Sequence, residues 1–180
     1  MKETIKVDER EYIGRLSELW PRPGSDHSSV DVLALSEEAV RDYPGNASLL
    51  CMRGDLIQLA PASYQSEDDP KGCYLRAIEI DPLCCEAWES LGYYYDDYDD
   101  DYTRAIEAFK RAIECGAGPA SVRGLARALA ESGKRGDALA TIDRALAQDI
   151  TSAEKIAFSE LREEIVSGDY DFGEFRVPPT

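Results

Sequence analysis

Histidine is almost missing from this chain, His27 being the only one. The commonest general base, and the commonest nitrogen ligand for zinc, are therefore nearly absent. Five cysteines, Cys51, Cys73, Cys84, Cys85 and Cys115, leave one over after pairing, and none has the Cys-x-x-Cys spacing. A tetrahedral zinc site is not expected, and the thiols read as small apolar fillers. There is no P-loop, no Gly-x-Ser-x-Gly and no metal-binding histidine pair, so neither a catalytic residue nor a cofactor is assigned. His27 lies in a Pro/Gly/Ser-rich stretch and reads as a surface residue. No run approaches the roughly 20 apolar residues of a transmembrane helix. The first six residues carry mixed charge without the apolar centre of a secretory signal. The expected compartment is the cytoplasm, with the nucleus as the alternative.

Basic residues are also in short supply. Lys and Arg total 20 against 36 Asp and Glu, so the formal charge is 20 − 36 = −16. That excess repels phosphate backbones and anionic lipid, which makes nucleic acid and membrane surfaces poor partners. It suits a basic protein or peptide. The plainer reading, that acidity only keeps the chain soluble, stands beside it. Asn46-Ala47-Ser48 is a glycosylation sequon. Without a secretory signal it reads as a chance match.

What is present is a repeat. Trp88-x-x-Leu91-Gly92-x-x-Tyr95 is followed by Ala105-x-x-x-Phe109-x-x-Ala112. Val122, Leu125, Ala126 and Leu129 fill the first set of slots 34 residues on, and Ala138, Ile142 and Ala145 fill the second set 33 residues on. Further back Leu50, Gly54 and Ile57 fit a first helix, and Tyr74, Ala77 and Pro82 a second. Ala39 and Pro44 look like the end of an earlier unit. The spacing of three and four places the apolar residues on one helix face. The small residues Gly92, Ala105, Ala112, Ala126, Ala138 and Ala145 let antiparallel helices approach. Trp88, Tyr95, Phe109 and Leu129 fill the space between hairpins. A single hairpin cannot bury its own face, so hairpins must stack.

These residues resemble the tetratricopeptide repeat family, most clearly at Trp88, Leu91, Gly92, Tyr95, Ala105 and Phe109. The unit led by Val122 departs from the signature, with neither Trp nor closing Pro, and the earlier units are degenerate. The resemblance covers about residues 30–150 and implies an all-α, right-handed α-solenoid of stacked antiparallel helix hairpins. The expected organisation is an N-terminal helix and linker (1–27), degenerate repeats (28–45 and 46–83), clear repeats (84–118 and 119–150), a capping helix (151–168) and an aromatic tail (169–180).

Helices are expected near 8–20, 28–43, 46–60, 70–81, 84–97, 101–115, 119–132, 135–148 and 152–167. Tyr12, Leu16 and Leu19 line the first. Ser28 or Ser29 caps the second. Ile156, Leu161 and Ile165 line the last, with Glu160, Glu163 and Glu164 opposite and Gly168 closing it. The stretch 61–69 reads as a polar loop. The Tyr/Asp run at 93–102 reads as a helix end, a turn and an acidic helix start. Calcium is the alternative there, against which the carboxylate spacing does not match an EF-hand loop. The tail's Tyr170, Phe172 and Phe175 either pack on the last helices or dock a partner.

The resemblance also implies a concave face lined by the first helix of each hairpin. On it Asp55, Glu86, Glu89, Tyr93, Asp96, Asp97, Arg123 and Arg127 are the expected partner-binding residues, with Ser48, Cys51, Gln58 and Glu131 beside them. The floor is expected to be acidic in the middle and basic toward the C-terminal end. A partner Lys or Arg would meet Glu86, Glu89 or Asp96, Tyr93 would offer a ring face, and an acidic group would meet Arg123 and Arg127. Repeats that hold the C-terminal tail of heat-shock chaperones need Lys and Asn at defined slots. Here Cys51, Asp55, Ser90, Ala120 and Gly124 stand in them, which argues against that ligand. The function expected is a non-catalytic adaptor that binds a basic peptide or protein. The alternative is a structural subunit or assembly factor working through other surfaces, and the remote one an enzyme or an acidic metal-binding protein.

Overall fold

The computed structural model describes residues 7–21 and 28–168. The readings of the first six residues, of His27 and of the 169–180 tail lie outside the described residues. Among the described residues there are nine α-helices and no strand. The chain divides into two compact units, Met1–Ala87 and Trp88–Thr180. Each is described by itself, and the boundary falls inside a helix of the expected 84–118 repeat.

The first unit holds α1 (Glu9–Glu18), α2 (Val30–Asp42), α3 (Ala47–Gln58) and α4 (Pro70–Ile80), packed in chain order. Each begins at a side-chain cap that satisfies a backbone N–H the helix leaves open. Asp8 caps α1, Ser29 caps α2 and Asn46 caps α3. Asp69 caps α4, with Pro70 in the first turn, where its missing N–H costs nothing. Ser28 is not the cap; its buried hydroxyl donates to the Leu56 carbonyl at 3.1 Å. Asn46, the sequon residue, also donates to Glu9, so its amide already has two structural duties.

In α1, Tyr12 and Leu16 are buried, but Leu19 is not, being 49% exposed at the helix C-cap. The helix stops before it can turn Leu19 inward. The Tyr12 hydroxyl donates to Asp42 Oδ2 at 2.9 Å, and that of Tyr43 to the Val7 carbonyl at 2.8 Å, fixing α1 against α2. Between α3 and α4, Gly54 faces Tyr74. A Cβ at Gly54 would stand 2.5 Å from Tyr74 Cε1, so only glycine admits the ring.

Helix α5 (Cys85–Asp97) leads into the second unit, which continues with α6 (Tyr102–Glu114), α7 (Pro119–Glu131), α8 (Arg135–Leu146) and α9 (Ser152–Ser167). Helix α7 packs on α6, α8 and α9. The Phe109 ring of α6 is fully buried between two glycines: a Cβ would lie 2.7 Å from its Cε1 at Gly92 and 2.5 Å at Gly124. The Tyr/Asp run resolves as expected of a helix end and a helix start. Asp101 caps α6, accepting from the Arg104 N–H at 3.0 Å, and Asp100 takes a left-handed φ of 51° in the turn. Among the described residues no three His, Cys, Asp or Glu side chains group so as to hold a metal ion.

Helix α9 opens with a reciprocal capping box between Thr151 and Glu154 and closes at Gly168, whose φ is 91°. Its packing face differs from the expected one. Phe158, Leu161 and Ile165 are buried, whereas Ile156 is 59% exposed. The aromatic ring two positions on takes the inward place, and that rotates Ile156 outward. Among the described residues no helix is long and apolar enough to cross a membrane.

Candidate functional site

In the second unit, three helices contribute side chains to one face. A cleft of about 220 Å³ is lined by Tyr93 of α5, Arg123, Gly124 and Arg127 of α7, and Ala157, Glu160, Leu161 and Glu164 of α9. A second cleft, of about 440 Å³, is lined by Glu89, the α7 start at Gly118, Pro119 and Ala120, and Glu154, Ala157 and Phe158. Arg123 lines both. It is exposed and makes no hydrogen bond or ion pair among the described residues.

The sequence reading names the α5 and α7 members of this face but treats α9 only as a solvating cap. Its inner side instead brings Glu154, Glu160 and Glu164 to the clefts. The C-terminal end of the face is therefore not simply basic. Arg127 is moreover engaged within the protein. Its Nε donates to Asp96 Oδ2 at 2.7 Å, and its Nη2 donates to Asp96 and, at 2.6 Å, to Asp97 Oδ1. The guanidinium also lies over the Tyr93 ring, 5.7 Å from its centroid. Burial pulls the Arg127 pKa down, but the hydrogen bond and charge of Asp96, with Asp97, outweigh that and hold it above its ordinary value.

Asp96 is only 4% exposed. The place a partner's cation was expected to take beside it is filled by Arg127. Its other oxygen, Oδ1, is buried and has no hydrogen-bond donor among the described residues. Glu131, one turn beyond Arg127 on α7, is the neighbouring carboxyl group. Burial first, and then the charge of Asp96, push Glu131 up to about 7.

The remaining expected residues fall as follows. Glu89 accepts a hydrogen bond from the buried Ser121 hydroxyl of α7. Tyr93 donates to the Ala120 carbonyl at 3.0 Å, and burial raises its pKa. Asp97 is exposed. In the first unit Asp55 accepts from the Tyr74 hydroxyl at 2.8 Å, and Glu86 is exposed near the Cys84 thiol, at 3.8 Å. Cys51 is buried, so it packs rather than presents its thiol.

One internal site went unread in the sequence. Arg53, 1% exposed, donates to the Leu33 carbonyl at 2.9 Å, to Ser36 Oγ at 3.0 Å, to the Tyr64 hydroxyl at 3.2 Å and to Ser66 Oγ at 3.0 Å. Asp68 Oδ2 lies 3.4 Å from its Nε. The 61–69 loop is thereby tied to α2 and α3. A basic residue directly after the apolar run Leu49-Leu50-Cys51-Met52 was the available signal.

No family profile matches the chain, and no curated protein does. Among solved structures, the crystal structure of the MamA protein, a tetratricopeptide-like helical-repeat protein, is similar. The two share 16% identity over 96% of this chain and 97% of that one, with a TM-score of 0.59. The likeness shows an all-α fold of the α-solenoid class.

Proposed function

We propose, for a chain with this helical-repeat fold, that it is a non-catalytic adaptor of the tetratricopeptide family and that the α5–α7–α9 face takes a basic segment of a partner protein. The observation that carries the reading is the pair of adjoining clefts whose rims bear Glu89, Glu154, Glu160 and Glu164, while one of the two arginines there, Arg127, is neutralised by Asp96 and Asp97. Such a surface attracts a cationic chain and steers its approach.

Glu89, Tyr93, Asp97, Glu160 and Glu164 would meet the partner. Arg123, between the clefts, would take an acidic group or a backbone carbonyl. Asp96 and Arg127 would act from below by holding α5 to α7. On the first unit, Asp55 and Glu86 are proposed as contacts in their own right.

The test is affinity capture followed by mass spectrometry, at low and at moderate salt, with the wild-type chain and with an E89K/E160K/E164K variant. A basic protein held by the wild type, released by salt and not captured by the variant is the expected result. Identical captured sets from both chains would remove the face from consideration.

A further inference from the structure

We propose that Glu131 carries a proton in the folded protein and donates it in a hydrogen bond to Oδ1 of Asp96, and that this proton locks α7 to α5. The inference does not depend on what binds the face above.

The geometry leaves few alternatives for Asp96. It is more than nine-tenths buried, and burying a carboxylate is tolerated only where its oxygens find donors. Arg127 supplies both donors that reach Oδ2. Among the described residues, none donates a hydrogen bond to Oδ1. The group within hydrogen-bonding reach of Asp96 from α7 is the Glu131 carboxyl, which as a carboxylate has nothing to give. With one proton on Glu131, the oxygen is satisfied. The cluster then holds Asp96 and Asp97 negative, Arg127 positive and Glu131 neutral. Loss of the proton to solvent would set two carboxylates against each other with Arg127 already committed.

The other elements packed on α7 do not relieve that repulsion. From α5 the charged groups are Asp96 and Asp97, with the neutral Tyr93 ring beside Arg127. Helix α6 meets α7 through the Phe109 ring at Gly124. On α8, Arg135 is turned to the Val166 carbonyl of α9. On α9, the groups across the cleft from Arg127 are Glu160 and Glu164, both acidic. Among the described residues, the cation whose charge draws Glu131 back down is Arg127, on its own helix.

The sign follows directly. A carboxyl whose folded pKa lies above its unfolded value contributes stability at low pH and loses it as pH rises. The loss begins near the ordinary glutamate value, about 4.3, and levels off above about 7. The lock is thus closed in mildly acidic conditions and released as the pH passes neutrality.

The experiment uses the full chain without any partner. The pH titration of the Glu131 side-chain carbonyl carbon is followed by NMR, assigned by through-bond correlation, and thermal unfolding is recorded from pH 4.5 to 8.5 for the wild type and for E131Q. Glutamine keeps a donor at Oδ1 at every pH. The expected result is a Glu131 midpoint near neutrality, far from the bulk of the glutamates. The wild-type unfolding temperature should also fall relative to that of E131Q between pH 4.5 and 7, then run parallel to it. Titration of Glu131 with the other glutamates would overturn the proposal. So would pH profiles of the two chains that stay parallel throughout. If E131Q fails to fold, the wild-type titration alone decides.

Discussion

The Phe109 ring lies over Gly124 with no room for a methyl group, since a Cβ there would stand 2.5 Å from Cε1. It meets Gly92 on its other flank in the same way. This one ring therefore fixes the separation of α5, α6 and α7. Overpacking of this kind costs about 1–3 kcal/mol, and removing a buried Phe about 3–5 kcal/mol. G124A should lose stability in urea unfolding by the smaller amount and F109A by the larger. The F109L/G124A pair should lose less than the sum of its parts, because the smaller side chain vacates the space the methyl needs.

Removing the guanidinium of Arg53 leaves the Leu33 carbonyl, the Ser36 and Tyr64 hydroxyls and Asp68 without their shared donor. Breaking a buried charged network from one side costs about 3–5 kcal/mol. R53M should lose that much in denaturant unfolding. Limited proteolysis should cut first within 61–69. R53K should recover little, since one ammonium cannot address acceptors spread around a planar fork.

Burial, reinforced by the hydrogen bond to Asp42 and the neighbouring Glu38, raises Tyr12, and burial with the Asp55 charge raises Tyr74. The unfolded chain releases these protons near pH 10 while the folded one retains them, so their contribution to stability is intact below about pH 10 and lost above it. Alkaline titration followed by ultraviolet absorbance should show these two tyrosines ionising together with unfolding, not ahead of it. Y12F should ease the alkaline loss, at the cost of the hydrogen bond to Asp42.

Burial pushes the Cys73 thiol up to about 12, with the charge of Asp68 adding to it. Since the thiolate is the reactive form, Cys73 should resist a disulfide reagent at pH 8 in the native protein and react fully in urea. Rapid native labelling of Cys73, read by peptide mapping, would contradict its placement.

Several helices were legible because they carry their own start signal: Ser29, Asn46, Asp69, Asp101 and Thr151 all cap where the apolar period begins. Helices α7 and α8, by contrast, open at Gly118 and Lys134 without a side-chain cap and were legible from the repeat spacing. From the repeat spacing Gly92 was legible as a place of close helix approach and Phe109 as a packing ring. Neither their contact with each other nor the one at Gly124 was legible, because no local pattern tells which neighbouring helix a ring will strike. The inward turn of Phe158 in place of Ile156 was legible and missed: Phe158 stands three and seven residues before Leu161 and Ile165, on their face, whereas Ile156 stands nine before Ile165, on the opposite side of the helix. The Arg127 pairing was missed for a different reason. Helical spacing reports which residues share a face, but an ion pair across 31 positions depends on how two helices are set side by side.

Counting back 38 positions from Leu91 and Gly92 arrives at Arg53 and Gly54. A cation thus occupies the slot in which the better-formed unit keeps an aliphatic side chain, and both are almost entirely enclosed. Aliphatic contacts are indifferent to which neighbour supplies them, whereas five directed donors are not. An idealised module transplanted over 46–83 would strand the acceptors of the preceding helix and free the long connection to wander. Within this array the early segment is thereby made specific to its place, and shuffling its modules would not yield equivalent proteins.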